Sequence, residues 1–168
     1  MKPANAGALT ALLDRDIVEG RFARGCRCFV VWMGGEIGGY GWLATNPEWV
    51  NEIGGEVRPG PLEGYIWNCF TVPKHRRKGV FHSLLIGISN IAHDEGLRRL
   101  WIGSVAIPAE KAVGPSGFRP AITWAGRTFA GRMLSVAWAR DRALARDATA
   151  VLRGRPGIHF YRLRPRRH

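Results

Sequence analysis

Val72-Pro73-Lys74-His75-Arg76-Arg77-Lys78-Gly79-Val80-Phe81-His82-Ser83-Leu84-Leu85 is the stretch on which the reading of this chain turns. Ahead of it, Tyr65-Ile66-Trp67-Asn68-Cys69-Phe70-Thr71-Val72 reads as a strand that Pro73 ends. Behind it, Phe81, Leu84, Leu85, Ile88, Ile91 and Ala92 recur at helical spacing up to about Gly96. Between the two lies a polar loop with four cations and a glycine. Such a junction suits an anion: the first amides of a helix lack partners, and the helix dipole turns partial positive charge toward them. Arg76, Arg77 and Lys78 add full charges, and Gly79 lets the backbone come close. A pyrophosphate is an anion of the right size. The Walker A spacing is absent, and so is the Gly-x-Gly-x-x-Gly of dinucleotide folds.

Working outward, residues 5–23 read as one helix on Leu9, Leu12, Leu13, Ile17 and Val18, stopped by Gly25. Cys28–Met33 and Gly39–Ala44 read as two strands joined by a hairpin at Gly34-Gly35-Glu36. Residues 45–63 are rich in Gly, Pro and Asn without a period, and read as a loop with a short helical piece. Leu100–Ala106 reads as a strand, and Pro108 suits the first position of a short helix. A strand is expected around Ala121–Ala125, a helix over residues 133–152 and a last strand over Ile158–Leu163. The expected fold class is α/β, with residues 1–168 as a single domain whose part 119–168 is rich in Arg.

The chain has 168 residues, 46% apolar and 23% charged, the balance of a chain that buries a core. The 22 Gly and 10 Pro call for many turns. No apolar run approaches the ~20 residues of a membrane span, and the first residues lack the basic-then-apolar pattern of a secretory signal. Three Cys do not make a disulfide framework, so a reducing cytoplasm is the expected compartment. The net charge of +12 is lopsided: residues 119–168 carry 12 Arg against Asp141 and Asp147. A basic end attracts nucleic acid, acidic protein or phosphate, but solvated surface accounts for it as well. Tyr161 and Phe160 are the only aromatics beside the final Arg run, a poor platform for stacking bases, so nucleic acid is an unfavoured partner.

The segment from Val72 to Leu85 resembles motif A of the GNAT (Gcn5-related N-acetyltransferase) superfamily: a strand ending near Val-x-Pro, then Arg/Gln-x-x-Gly-x-Gly/Ala, then a helix with paired Leu. Gly117-Phe118-Arg119-Pro120 is similar to the Gly-Phe that follows the family's fourth helix, and the hairpin at Gly34–Tyr40 resembles its second and third strands. The resemblance covers roughly residues 10–125. It implies a mixed central sheet with a splayed strand pair and flanking helices. It also implies acetyl-CoA or another acyl-CoA as co-substrate, and a small-molecule or peptide amine as acceptor. The loop amides of Arg76, Arg77, Lys78, Gly79, Val80 and Phe81 would hold the CoA pyrophosphate, and the backbone edge of Phe70, Thr71 and Val72 would pair with the pantetheine. The family's first strand is hard to find here; either the fold lacks it, or the Ile158–Leu163 strand takes extra sheet positions. A homodimer stays open.

The departures from the family pattern fall on the chemistry. The last small residue of the loop motif is Phe81. The acidic residue often found before the strand's final Val is replaced by Cys69 and Asn68, the Asn after strand five by Ala106, and the Tyr ahead of Gly-Phe by Val113. Catalytic candidates are therefore Asn68 as a water or acceptor holder, Glu63 as a remote base and Ser104 as a donor to the leaving thiolate. Each has a plain alternative: a bonded strand Asn, a solvated strand start, a packed Ser. Cys69 belongs with the core rather than with a nucleophile, and His82 with the surface near phosphate. Cys26 and Cys28 lack the further ligands a metal needs, so no metal site is expected. Trp32, Trp42, Trp67 and Trp101 read as core, with Trp42 and Trp67 alternatively flanking the acceptor cleft. Loss of the usual acid and base leaves one rival to an acyltransferase, a GNAT-fold CoA-binding module with weak or no catalysis, and the Arg-rich end leaves another, a basic binder of nucleic acid or acidic protein.

Overall fold

The computed structural model describes residues 2–3, 6–50, 55–104, 111–129, 132–152 and 157–162. The chain folds into two compact units, Met1–Pro47 with Pro59–Phe118, and Glu48–Arg58 with Arg119–His168.

In the first unit, the expected helix over residues 5–23 is two helices, α1 (Ala6–Leu9) and α2 (Arg15–Ala23). The apolar spacing spans both, but Asp14 interrupts it: its side chain accepts from the Asp16 amide at 2.9 Å and caps a new helix. The main sheet has the order β1 (Lys2–Pro3), β2 (Arg27–Met33), β3 (Glu36–Ala44), β6 (Glu63–Thr71), β7 (Arg99–Ile102). A two-residue β1 is therefore present and pairs with β2 through Lys2 and Val30. The β2–β3 hairpin turns on Gly34 and Gly35, both at positive φ (60° and 89°), as a two-residue turn of matching twist demands.

Each face of this sheet carries its own core. On one, Leu9 and Val18 from α1 and α2 pack with Cys26, Cys28, Val30, Tyr40, Trp42 and Ala44. On the other, Leu84, Leu85, Ile88 and Ala92 of α3 (Val80–Asp94) pack with Phe29, Leu43 and Ile66. Phe118, of the Gly-Phe pair, packs against this second core. The helix sits close because β3 is bare there: a β-carbon on Gly41 would stand 2.9 Å from Cys69 Sγ and 3.0 Å from Leu84 Cδ2. Trp32 departs from the core reading. It lies past the register shift at Val31/Trp32 and is 47% exposed.

Residues 45–63 do not form a plain loop: in the second unit, Glu48–Val50 (β4) and Gly55–Val57 (β5) pair antiparallel. The expected helix over 133–152 is strand as far as Trp138. Thr123–Phe129 (β8), Arg132–Trp138 (β9) and Gly157–Arg162 (β10) form an antiparallel sheet with β9 central. Met133, Leu134, Val136 and Ala137 satisfy a helical period, yet two ladder partners outweigh that local preference. The helix proper, α4 (Arg142–Leu152), starts where Asp141 Oδ1 accepts from the amides of Ala143 and Leu144 at 2.9 and 3.0 Å. Arg58 N–H donates to Val151 O at 2.8 Å, tying the segment after β5 to α4. Pro108 and Ala106 lie outside the described residues; residues 111–113 are helical. Among the described residues no helix is long and apolar enough to cross a membrane.

Candidate functional site

The strand β6 has two unlike halves. Glu63–Ile66 pairs with β7 in parallel, from Glu63 with Arg99 to Ile66 with Ile102. Past Ile66, the described residues of β7 stop, while β6 runs on to Thr71 with β3 as its partner. The parting coincides with an irregularity. The β3–β6 register shifts between Tyr40 and Trp42, and Asn68, opposite that shift, has φ 45°. A bulge of this kind re-aims side chains and ends pairing. The backbone of Trp67–Thr71 thus presents one side that β3 does not use, and this is the edge on which Phe70 and Thr71 were expected to lie.

Beyond Thr71 the chain enters a short 3-10 turn, Pro73–His75, and then the loop Arg76–Gly79. Arg76, Arg77, Lys78 and Gly79 are exposed, Val80 is buried and Phe81 is half-buried. Gly79 caps α3 at φ 76°, a left-handed conformation that leaves its neighbours' amides at the helix start unobstructed. Arg77 also sits at positive φ (59°), and Arg76 Nε–H donates to Thr71 O at 3.4 Å, folding its side chain back on the strand end. The first amides of α3 have no partner within the helix, and three cations immediately precede them in the chain.

The loop is anchored from two sides. Val72 N–H donates to Gly38 O at 2.9 Å. In the β2–β3 hairpin, Glu36 meets Lys74 Nζ with one carboxylate oxygen and His75 Nε2 with the other, at 2.8 Å. Hydrogen bonds from Lys74 and His75 hold the Glu36 carboxyl below the usual carboxylate range. On the helix side, His82 Nδ1 lies 3.0 Å from Ser116 Oγ, which donates to Ala112 O at 3.3 Å. His82, exposed as expected, thereby joins the start of α3 to the turn before Gly117-Phe118.

The three catalytic candidates lie apart. Glu63 is at the paired end of β6. Its carboxylate accepts from Trp101 Nε1–H at 2.8 Å and from the Gly60 amide at 3.1 Å, and Arg99 stands 3.5 Å away. Ser104 is exposed, two residues past the end of β7 rather than inside a strand. Asn68 is exposed at the bulge, and its Oδ1 accepts from Arg21 Nη1 at 2.7 Å. Cys69, the next residue, points to the α3 core, where burial pushes its thiol up to about 12. Burial likewise raises Cys28 to about 12. Both are neutral thiols in ordinary buffer.

Sequence reasoning missed Arg21. From α2 it reaches the open half of β6, with its guanidinium 4.5 Å from the centre of the Trp67 ring and 4.9 Å from that of Trp42. The one available signal is its place in the last turn of a helix that faces the sheet, a position that also reads as ordinary surface.

No curated protein matches the chain. Among solved structures, an acetyltransferase from Trypanosoma brucei superposes with a TM-score of 0.53 at 18% identity, over 70% of this chain and 90% of that one. An aminoglycoside N-acetyltransferase in complex with CoA gives the same TM-score of 0.53, 18% identity and coverages of 70% and 90%. Glucosamine-6-phosphate N-acetyltransferase from Arabidopsis thaliana gives 0.50 at 11% identity, over 70% and 89%. At such identities the likeness is one of fold. The model of the GNAT acetyltransferase family matches residues 5–114, which span α1 through α3 and the approach to Gly117-Phe118. With the strand pair parting beside a basic helix start, the chain belongs to the GNAT acetyltransferase family.

Proposed function

We propose that the protein is an acyl-CoA-dependent N-acyltransferase, with acetyl-CoA as donor and an amine, small-molecule or peptidic, as acceptor. The observation that carries this reading is the parting of β6 from β7 directly upstream of the Arg76–Gly79 loop. The CoA pyrophosphate sits on the amides of Arg76–Phe81, with Arg76, Arg77 and Lys78 supplying charge, and the pantetheine pairs along Phe70, Thr71 and Val72. Phe81 does not oppose this, since the contact at its position is through the backbone. The solved aminoglycoside enzyme of like fold is in complex with CoA, which supports the same donor here.

In the reaction, the acceptor nitrogen attacks the thioester carbonyl. An N–C bond forms, the C–S bond breaks, and CoA leaves as a thiol with the proton the amine gives up. Asn68 is placed to hold the acceptor or a water at the bulge, but its amide does not titrate. Glu63 is bound up with Trp101, Gly60 and Arg99, which makes it an anchor of the paired half rather than the base. Alignment of donor and acceptor then supplies most of the rate. The same scarcity of titrating groups favours a second reading, a CoA-binding module of low activity. The three cysteines, none of them in a disulfide, suit a reducing cytoplasm.

The test is calorimetric titration with CoA, followed by thiol release from acetyl-CoA across a panel of amines. Arg76→Glu should weaken CoA by more than about tenfold, because an attractive charge-assisted contact becomes repulsive. Unchanged affinity removes the loop assignment. CoA binding without transfer to any amine selects the second reading.

A further inference from the structure

Among the described residues, the Arg21 guanidinium has no carboxylate as counter-charge. It is half-buried, and burial lowers its pKa from the ordinary arginine value. The other groups whose charge acts on it are Tyr40, Arg24, Cys26 and Cys28, none a carboxylate. A desolvated cation left without an anion is costly, and proteins normally pair it. Here the partners are two indole faces and the Asn68 amide oxygen. Those contacts orient the planar fork while leaving most of its five N–H donors for something else. The surroundings are also rich in donors: Trp42 Nε1 and Trp67 Nε1 are buried and find no acceptor among the described residues.

The place matters as much as the charge. Asn68, to which Arg21 is bonded, is exposed and stands at the bulge where β6 leaves β7. From Asn68 to Thr71 is about 10 Å of strand, and this is the open half on which the thioester end of CoA is proposed to lie. A group held by Arg21 would therefore stand beside the reacting centre, on the face of the sheet covered by α2.

We propose that Arg21 binds the acceptor, and that the acceptor is an amine carrying a carboxylate, which the guanidinium fork receives bidentately at the mouth of the β6 bulge. The proposal rests on the acyltransferase reading above and adds the class of its substrate. A carboxylate is favoured over a dianionic phosphate by charge, since the single guanidinium brings one positive charge to one negative one. Asn68 serves as a positioning residue that holds the fork in the plane needed.

The experiment pairs amines that differ only in charge: amino acids and short peptides with a free carboxylate, against the same compounds as carboxamides, and aminoalkyl phosphates of equal length. Transfer from acetyl-CoA is followed for the wild type, Arg21→Gln and Arg21→Lys, and CoA affinity is measured by calorimetry for each. The expected result is a kcat/KM for the carboxylate at least about tenfold above its amide, the size of one charge-assisted bidentate contact. Arg21→Gln should bring that ratio close to one through a raised acceptor KM, while Arg21→Lys keeps part of it. Unaltered CoA affinity shows that each variant is folded. Equal use of amide and carboxylate, a preference that survives Arg21→Gln, better use of the phosphates, or no transfer to any carboxylate while CoA binds would each overturn the proposal. Failure to bind CoA at all would instead overturn the acyltransferase reading and this proposal with it.

Discussion

The two halves of β6 differ in what they pair with. From Glu63 to Ile66 it pairs with β7, with β3 joining on the other side from Tyr65, and its one carboxylate is held by an indole, a backbone amide and an arginine. From Trp67 to Thr71 it pairs, among the described residues, with β3 alone, passes through a positive-φ residue and borders a guanidinium stacked on Trp67 and a basic helix start. Polar groups in the first half have their partners within the fold; in the second half partners are left over. Changes in the first half should therefore appear as lost stability, and changes in the second as lost binding or turnover.

The largest effect is expected where a change would break that separation. Gly41 lies opposite the bulge, so Gly41→Val drives side-chain atoms into Cys69 and Leu84. It should lower unfolding free energy by about 3 kcal/mol, as overpacking of a filled core does, and weaken CoA binding as well. Urea denaturation and calorimetry together test this, and loss of neither would mean that α3 can give way.

Glu63→Ala should sharpen the comparison from the paired side. It leaves the Trp101 indole N–H and the Gly60 amide without an acceptor, which costs about 2 kcal/mol. The midpoint of denaturation should fall while kcat at saturating substrates stays near wild type. A collapse of kcat with stability intact would return Glu63 to the role of base.

Asn68→Gly approaches from the open side. Glycine accepts φ 45° without strain, so the backbone of the bulge survives and only the amide is lost. We expect kcat/KM for the acceptor to fall about fivefold, the size of one hydrogen bond, with CoA affinity unchanged. Wild-type turnover would remove Asn68 from the site.

The smallest effect concerns the Glu36 clamp on the loop. Its carboxyl is held below the ordinary value by Lys74 and His75, so its contribution is present above the unfolded pKa and is lost as pH falls through the folded one. Glu36→Gln should lower Tm slightly at pH 7, and the gap should close below roughly pH 4. A gap independent of pH would mean that the clamp is not electrostatic.

Local signals in the chain were enough for much of this. Pro73, the cations and Gly79 ahead of Leu84 and Leu85 mark a strand end, a basic turn and a helix, because each depends on neighbours a few residues away. The Gly34-Gly35 hairpin is legible for the same reason. Other features had no local signature. Asp14 splits an apolar pattern that would continue without it, and residues 133–138 suit either period until two strands flank them. The segment 48–58 joins the unit of residues 119–168 through Arg58 and Val151, more than ninety positions apart. Most of all, Arg21 meets Asn68, Trp42 and Trp67 across as many as 47 residues. Short-range stereochemistry and periodicity decide turns, caps and helix starts. Which cation stands against which strand depends on how helix and sheet pack, and only the folded chain settles that.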